Sequence, residues 1–407
     1  MPDTSRPTSR TASRWAGIPP TVFAEMSSLA VRTGSVNLGQ GFPDEDGPAG
    51  LLEAAAEAIR GGANQYAPGR GVPALREALV EHQRRHYGIE LDPDTQVTVT
   101  TGCTEAIAAA LMGLVEPGDE VVLLEPYYDS YTAMLQACGA ARRPVTLRAP
   151  DFRLDPEALR AAVTPRTRFV LLNTPHNPTG TVLTEAELRA VAEVAVEHDL
   201  TVITDEVYEH LVFPDAGTDP DAPDGVRRHV PLSTLPGMAE RTLTLSSVGK
   251  SYSVTGWKVG WATGPAPLVD ALVAAKQWLT YTSGSPFQPA VAHALRELPD
   301  EPRRLRDALQ GKRDLLVDGL AGAGLPVTTT PAGTYFATSD VSHLGWDDGL
   351  AFCLALPERA GVVAIPTQMF HDDPHGAGRH LVRWAFCKRE EVLTEAVERL
   401  ASADLAR

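Results

Sequence analysis

Hydrophobic residues recur through the middle of the chain with the periods of a repeated strand–helix unit. Short β-branched runs are followed by longer segments in which apolar residues return every three or four positions. Seven strands are predicted, at residues 97–100, 120–124, 141–147, 168–172, 201–204, 241–245 and 259–262. Helices are predicted at residues 104–115, 130–137, 156–163, 185–198 and 267–281. This alternation predicts a doubly wound or related α/β sheet.

The two ends of the chain lie outside that alternation. The start is rich in Ser, Thr and Arg, and we expect residues 1–20 to form a disordered tail. Helices are predicted at 22–33, 50–61 and from 73 onward. After residue 289 the pattern predicts a smaller α+β set, with helices at 303–321, 350–359 and from about 390, and strands at 334–340, 361–365 and 381–387.

These patterns predict two domains. Residues 45–290 form the large one, and residues 21–44 and 291–407 form the small one. The Pro/Asp/Gly-rich stretch 213–230 has no periodicity and is predicted to be an exposed loop without assigned function.

The formal net charge of −16 opposes a nucleic-acid surface and requires locally arranged cations for any anionic ligand. The four cysteines form no CxxC pair and no Cys/His metal spacing, so no metal site is predicted, and free thiols in the cytoplasm are expected. No apolar run approaches membrane-spanning length, so no membrane association is expected.

A candidate reactive amine follows the predicted strand 241–245. Two serines are followed by Gly249 and Lys250. Burial lowers the pKa of a lysine among small residues, and the neutral amine forms a Schiff base with an aldehyde. The alternative is a solvated loop lysine, the commoner outcome after a strand.

A candidate anion site lies between the predicted strand 97–100 and its following helix. Gly102 offers a turn into a helix N-terminus, where backbone N–H groups and the helix dipole favour an anion. The alternative is an ordinary N-cap by Thr101 or Thr104.

Other candidate ligand-binding side chains follow or interrupt predicted strands. Asn173, His176 and Asn177 end one strand and line either a ligand crevice or a tight turn. Asp205 and Tyr208 end another and offer a carboxylate and a phenol to one ligand, unless Asp205 caps a helix.

An aromatic side chain and a guanidinium complete the candidates. Tyr128, after the strand 120–124, either stacks on a planar ligand or packs in the core. Arg383 lies between apolar neighbours and must find an anion, which is either a structural carboxylate or a substrate.

The order of these motifs resembles that of the pyridoxal-phosphate aminotransferases of fold type I, class I/II, from about residue 22 to 400. The segments that carry the resemblance are NLGQGFPD, NQYAPGRG, HNPTG, DEVYEHL and SSVGKSYSVTGWKVGW. They are similar to the kynurenine/glutamine/methionine aminotransferase branch. Within it, NLGQGFPDEDGP, EPYYDSY and AKQWLTYTSGSPFQPAVA resemble the bacterial N-succinyldiaminopimelate aminotransferases.

The resemblance implies a mainly parallel seven-stranded sheet between helices, a smaller α+β domain, and pyridoxal 5′-phosphate as cofactor. It implies that Lys250 holds the cofactor and moves the substrate proton, that Asp205 pairs with the ring nitrogen, and that Tyr208 contacts the phenolic oxygen. The cofactor-binding residues that it implies are Gly102, Cys103, Thr104, Tyr128, Asn177, Asp205, Tyr208, Ser247, Lys250 and Lys258.

The resemblance also implies a substrate clamp and a homodimer. Arg383 would bind the substrate α-carboxylate, assisted by Asn177 and the backbone at Gly39. Tyr66 would reach the cofactor phosphate of a neighbouring subunit. Cys103 stands where relatives often carry Gly or Ala, and little effect is expected because the implied contact is a backbone N–H.

The amino donor stays open at this point. The implied reaction joins an amino acid and a 2-oxo acid such as 2-oxoglutarate, with N-succinyldiaminopimelate as the first choice. Arg70 and Lys276 are speculative partners of its distal carboxylate, and Tyr281 suits either kind of donor. The alternatives are a kynurenine, glutamine or methionine aminotransferase, a cysteine-conjugate β-lyase, and a non-enzymatic regulator that senses a ligand. The absence of a fused DNA-binding domain and the acidic charge oppose the regulator.

Overall fold

The predicted α/β sheet is present in the computed structural model, which describes residues 11–18, 20–222 and 224–407. Its seven strands are β2 (Val97–Thr101), β3 (Glu120–Glu125), β4 (Ala141–Thr146), β5 (Thr167–Asn173), β6 (Thr201–Asp205), β7 (Thr242–Ser247) and β8 (Val259–Thr263). They lie in the order β2-β8-β7-β6-β5-β3-β4, and β8 runs in the direction opposite to the other six. All seven predicted strands are therefore confirmed, with small shifts at their ends.

Helices cover both faces of this sheet because successive strand residues point to opposite sides. In β3, Val121 and Leu123 pack on one face, and Val122 and Leu124 on the other. The first face is covered by α4 (Gly102–Leu114), α5 (Asp129–Cys138) and α9 (Ala266–Lys276), and the second by α6 (Pro156–Ala162) and α7 (Glu185–Glu197). Burial on both faces explains the largely hydrophobic runs of the central strands β3, β5 and β6.

Two small sheets form from the ends of the chain. The first pairs β1 (Val36–Asn37) with β10 (Val362–Val363), and the second has the antiparallel order β11-β12-β9, with β11 (Ile365–Pro366), β12 (Leu381–Ala385) and β9 (Phe336–Asp340). One hydrophobic core joins them to α1 (Val22–Thr33), α11 (Glu301–Gly322), α12 (Gly349–Ala360) and α13 (Glu390–Ala401). This core brings the N-terminal segment and the C-terminal third together.

Four more helices complete the part of the chain that the structure describes, aside from short 3-10 turns: α2 (Ala49–Arg60), α3 (Pro73–Tyr87), α8 (Val248–Ser251) and α10 (Phe287–Glu297). The sequence pattern did not predict α10. This helix crosses the predicted domain boundary at 290/291 and packs on α2 and α3. The division of the chain into domains stays a prediction.

Several local predictions differ from the structure. The helix predicted at 267–281 ends at Lys276, because the chain then turns and Tyr281 adopts a φ of 63°. The strand predicted at 361–365 is split into β10 and β11. Within the predicted tail, Ser13–Trp15 forms a 3-10 helix beside α5, while residues 1–10 and 19 lie outside the described residues.

The predicted loop 213–230 is anchored at two points. Asp219 and His229 are buried; Asp219 accepts from the Glu185 amide, and His229 contacts Glu206. Residue 223 lies outside the described residues. The loop is therefore less exposed than its composition indicated.

Candidate active site

A cavity of about 440 Å³ lies where the parallel strands end, a size typical of small-molecule sites. Strands β2, β5, β6 and β7 all end at this edge, which is the expected ligand position in an open α/β sheet. The predicted site residues that line the cavity are Gly102, Cys103, Thr104, Tyr128, Asn177, Asp205, Tyr208, Ser247, Lys250, Lys258 and Arg383. The structure therefore brings these residues together around one cavity.

Lys250 lies in the single-turn helix α8 that directly follows β7. Its Nζ atom donates to the Gly41 carbonyl at 3.3 Å, and it lies 5.8 Å from the centroid of the Tyr208 ring. Desolvation lowers the pKa of Lys250 to about 8, while Asp205 and Cys387 oppose that shift. Near neutral pH, Lys250 therefore has a larger neutral fraction than an ordinary lysine.

Asp205 is the buried carboxylate of the site. Its Oδ2 accepts from the Tyr131 hydroxyl at 2.6 Å, and its Oδ1 accepts from the Val207 amide at 3.3 Å and the Cys103 thiol at 3.5 Å. Burial raises the pKa of Asp205, and these donors and the charge of Lys250 act against that rise. Asp205 caps no helix in the described structure, so the ligand-binding interpretation gains over the alternative.

The N-terminus of α4 points into the cavity with its first turn uncapped by a side chain. Gly102 has a φ of 71°, and a Cβ built on it would lie 3.2 Å from Lys258 Nζ. Lys258 Nζ also lies 3.5 Å from the Thr104 hydroxyl, and Ser247 is buried beside the cavity. Free N–H groups, a hydroxyl and an ammonium form a site suited to an anion such as a phosphate.

Arg383 lies on β12 and is only 1% exposed. Its outer nitrogens donate to Asn177 Oδ1 at 3.0 Å and to the Gly39 carbonyl at 2.7 Å, while Nε has no partner. No carboxylate lies within 4 Å of its nitrogens among residues 11–18, 20–222 and 224–407. Because a buried charge requires compensation, this guanidinium is suited to an anionic ligand.

Aromatic rings form the remaining cavity wall. Tyr128 precedes α5 and meets Tyr131 edge-on at 5.7 Å between centroids. Burial raises the pKa of Tyr128 to about 12 and that of Tyr208 further still. Both phenols therefore stay protonated and can donate hydrogen bonds. The Phe336 ring stacks against the Arg383 guanidinium at 4.0 Å.

Two predicted site residues do not line the cavity of one chain. Gly39 contributes only through its carbonyl contact with Arg383, because its amide donates to Asn37 Oδ1. Tyr66 is 85% exposed and packs edge-on against Tyr281.

The two speculative partners of a distal carboxylate have other partners. Arg70 pairs with Asp270. Lys276 is buried and donates to the carbonyls of Gly69 and Tyr281 at 3.1 and 2.7 Å. Neither residue lines the cavity of its own chain.

Some site residues had no predicted role. Tyr131 holds Asp205, and its spacing of one helical turn from Tyr128 is the signal that was available. Tyr335 donates to the Gly41 carbonyl at 2.6 Å and lies 5.5 Å from Lys250 Nζ, a contact that has no local sequence signal. The Cys103 thiol contacts Asp205, whereas only its backbone was expected to matter.

Comparison with known proteins agrees with this geometry. The family model described as "Aminotransferase class I and II" matches residues 33–400. The chain belongs to the class I and II aminotransferases. It is 53% identical over 401 residues to the probable N-succinyldiaminopimelate aminotransferase of Mycobacterium tuberculosis, covering 96% of this chain and 98% of that protein. It is 41% identical to the methionine aminotransferase of Escherichia coli over 380 residues, which cover 93% and 95% of the two chains.

Solved structures confirm the fold of this aminotransferase. The N-succinyldiaminopimelate aminotransferase structure from M. tuberculosis matches with a TM-score of 0.91, covering 96% of this chain and 99% of that one. An aspartate aminotransferase of Thermus thermophilus, 32% identical, matches with a TM-score of 0.86 and covers 96% and 98% of the two chains. The predicted fold type I architecture is therefore confirmed.

Pyridoxal phosphate is the cofactor of this aminotransferase family, and the site residues fit it. The uncapped turn of α4 with Lys258 suits the phosphate, and the Lys250 amine suits an aldehyde. Asp205 offers a buried acceptor to a ring N–H, and Tyr128 a ring that can stack. No helix among the described residues is long and apolar enough to cross a membrane.

Proposed function

We propose that this aminotransferase exchanges an amino group between N-succinyldiaminopimelate and 2-oxoglutarate. The observation that carries amino-acid transamination is one cavity that holds the Lys250 amine and the unpaired Arg383 guanidinium. The choice of donor is supported by the 53% identity to the M. tuberculosis relative.

Lys250 is the proposed catalytic base and acid. When bound, pyridoxal phosphate supplies an aldehyde that takes up the amino group and a ring that withdraws electrons from the substrate Cα. The Lys250 Nζ would hold the cofactor between turnovers and, once released from it, would accept the proton that leaves Cα. Replacing Lys250 by alanine should abolish turnover and the visible absorbance of the attached cofactor, and retained turnover would refute this role.

Asp205 and the phenols would set the electronic state of the ring. The Asp205 carboxylate, held by Tyr131 and Cys103, would keep the ring nitrogen protonated. Tyr208 and Asn177 would donate to the phenolic oxygen, and Tyr128 would stack on the ring face. The Ser247 hydroxyl, Lys258 and the first N–H groups of α4 would bind the phosphate.

Arg383 would bind the α-carboxylate of every substrate. Its guanidinium carries five N–H groups, and the protein engages two of them. The remaining donors can form a two-point contact with a carboxylate. Asn177 and Gly39 fix the orientation of this fork before substrate arrives.

A methionine-type donor is the second candidate, and one observation favours it. The cations that line the cavity of one described chain are Lys250, Lys258 and Arg383, and each already has a proposed partner. The rings of Phe23, Phe42 and Phe336 also line it and suit an apolar side chain. A distal succinyl carboxylate would need a further donor.

A panel of amino donors with 2-oxoglutarate and with pyruvate, measured as kcat/KM, tests the choice. The succinylated donor should give the highest value. A best value for methionine or kynurenine, with none for the succinylated donor, would reject it. Pyruvate and ammonia formed from a cysteine conjugate without an oxo-acid acceptor would indicate the β-lyase.

The active form is proposed to be a cytoplasmic homodimer. Tyr66, Trp278, Leu279 and Tyr281 form an exposed apolar patch, a feature typical of interfaces. Thr280, in the same segment, contacts the Thr101 hydroxyl at 3.2 Å, next to the phosphate site. Tyr66 of a second subunit would thus reach the phosphate. Replacing Tyr66 by phenylalanine should weaken cofactor binding, and a fully active monomer would contradict the proposal.

A further inference from the structure

Three histidines form a cluster away from the cavity. His82 and His86 lie one turn apart on α3, and His210 follows Tyr208 in the segment after β6. One ring nitrogen from each lies within 4.8 Å of those of the other two. His82 is buried, His210 is half-buried and His86 is exposed, so the cluster opens to solvent at one side.

The closest pair lies slightly closer than two ligands of one ion would. The Nε2 atoms of His82 and His210 are 2.8 Å apart. Zinc–nitrogen bonds of 2.0–2.1 Å place two tetrahedral ligands about 3.3 Å apart, so the two rings would separate by about 0.5 Å to hold an ion. Without an ion, this contact is a single hydrogen bond between two imidazoles, and the Nδ1 of His82 has no partner.

The third ring needs only a small movement. The centroid of His86 lies 4.6 Å from that of His82 and 5.0 Å from that of His210. Because His86 is exposed, its side chain can rotate toward the pair without repacking a core. Histidines at positions i and i+4 of a helix project from the same face, as metal-binding pairs do.

A buried anion lies beside the cluster. Glu209 accepts from the Tyr87 hydroxyl at 2.7 Å and the Ser246 hydroxyl at 2.8 Å, and no lysine or arginine lies within 4 Å of its carboxylate among the described residues. Burial lowers the pKa of all three histidines, and the Glu209 charge opposes that shift in each. A buried carboxylate with no lysine or arginine partner among the described residues therefore lies beside the three imidazoles.

We propose that His82, His86 and His210 bind a divalent transition-metal ion, with Zn²⁺ as the expected occupant. Three imidazoles suit Zn²⁺, Ni²⁺ or Cu²⁺ and do not suit Mg²⁺ or Ca²⁺. Glu209 compensates the charge of the ion from its position behind the ligands. Water reaches the remaining coordination position from the side of His86.

The ion would be structural. It ties α3 to the segment that continues from Asp205 through Tyr208, and so supports two residues of the proposed active site. The sequence predicted no metal site because its cysteines form no CxxC pair and no Cys/His metal spacing. The pair at 82 and 86 was visible in the sequence, but its third ligand is 124 positions further along the chain.

The test uses the untagged, cofactor-loaded enzyme, treated with a chelator and kept free of amino donor. Co²⁺ is added as a spectroscopic probe, and Zn²⁺ is then titrated by calorimetry. The variants are His86→Ala, His86→Cys, and His293→Ala as the matched control, an exposed histidine on helix α10. His86 is exposed, so its replacement should leave folding intact.

The wild type and His293→Ala should bind about one ion per chain, with a long-wavelength Co²⁺ band and a Zn²⁺-dependent rise in Tm. His86→Ala should bind roughly tenfold or more weakly, since even outer-shell changes weaken metal sites tenfold to a hundredfold. His86→Cys should retain binding because a thiolate replaces the imidazole. No binding by the wild type, unchanged binding by His86→Ala, or an equal loss in His293→Ala would overturn the proposal.

Discussion

Replacing Arg383 by lysine would separate carboxylate recognition from the other functions of the site. Lysine keeps the positive charge and loses the planar fork that can bind a carboxylate at two points. The proposed role of Arg383 therefore predicts a loss for substrates that carry an α-carboxylate. An amine that lacks this group should be unaffected.

The magnitude follows from the donors that the structure leaves free. Two of the five N–H groups of Arg383 are engaged by Asn177 and Gly39, which leaves enough for two bonds to a carboxylate. Lysine retains one of those bonds. One charge-assisted hydrogen bond contributes about 1.5–3 kcal/mol, so kcat/KM for the amino acid should fall roughly tenfold to 150-fold.

The assay compares kcat/KM for the best amino acid with that for its decarboxylated amine. Only the ratio of the two is interpreted, because a change in stability or cofactor content affects both equally. Arg313→Lys is the matched control: Arg313 is also 1% exposed, but it pairs with Asp215 and Asp314 outside the cavity.

The ratio of kcat/KM for the amino acid to kcat/KM for the amine should fall in Arg383→Lys and stay unchanged in Arg313→Lys. An equal fall for both substrates in Arg383→Lys would refute the reasoning, since it would make Arg383 a structural residue. A fall of less than tenfold in the ratio of the two kcat/KM values would also refute it, because the free N–H groups would then bind something else.

Three further predictions address the amine, the phosphate site and the buried carboxylate. Uptake of pyridoxal phosphate by the cofactor-free protein should accelerate as the pH rises through about 8, because the folded-state pKa of Lys250 is lowered from 10.5 and only the neutral amine reacts. At pH 7.5 about a quarter of the amine is then neutral, against about a thousandth at the ordinary pKa. A stopped-flow rate whose pH profile has its midpoint near pH 10.5 would contradict this prediction. Gly260→Ala should weaken cofactor binding and destabilise the protein by about 1–3 kcal/mol, because the new Cβ would lie 2.6 Å from the backbone of Gly102. The control is Gly256→Ala, whose Cβ meets nothing within 4 Å. Cofactor titrations and thermal melts compare the two variants, and equal behaviour would contradict the prediction. Tyr131→Phe removes a donor that lowers the Asp205 pKa, so that pKa should rise further and the acid limb of the kcat/KM profile should move to higher pH, whereas Tyr127→Phe, whose hydroxyl binds Asp372, should leave the limb in place.

The sequence predicted the large sheet well because its signal is local. The central strands β3, β5 and β6 are buried on both faces, so they appear as short apolar runs between turn residues, and the polar residues at the strand ends mark the ligand edge. Asp205, Ser247 and Lys250 were found in this way. Their chemical roles rested on the family resemblance, because a carboxylate or an amine at a strand end has several ordinary uses.

What the sequence did not reveal depends on contacts between distant segments. Tyr335 reaches Lys250 through the carbonyl of Gly41, which is 294 positions earlier in the chain. Lys276 resembled a candidate cation for substrate, yet two backbone carbonyls take up its ammonium group. Helix α10 has no N-cap signal in the sequence, because its N-cap residue is Pro286, whose side chain has no polar group to accept a hydrogen bond.

The reversed direction of β8 places two functional side chains on one short connection. A parallel strand would have to begin at the far edge of the sheet, after a crossover of a dozen or more residues. Because β8 runs the other way, the chain re-enters the sheet beside the place where β7 leaves it, and residues 248–258 form one short connection. That connection carries both the reactive amine and the ammonium of the anion site. A change in the length of this connection would therefore affect two functions at once.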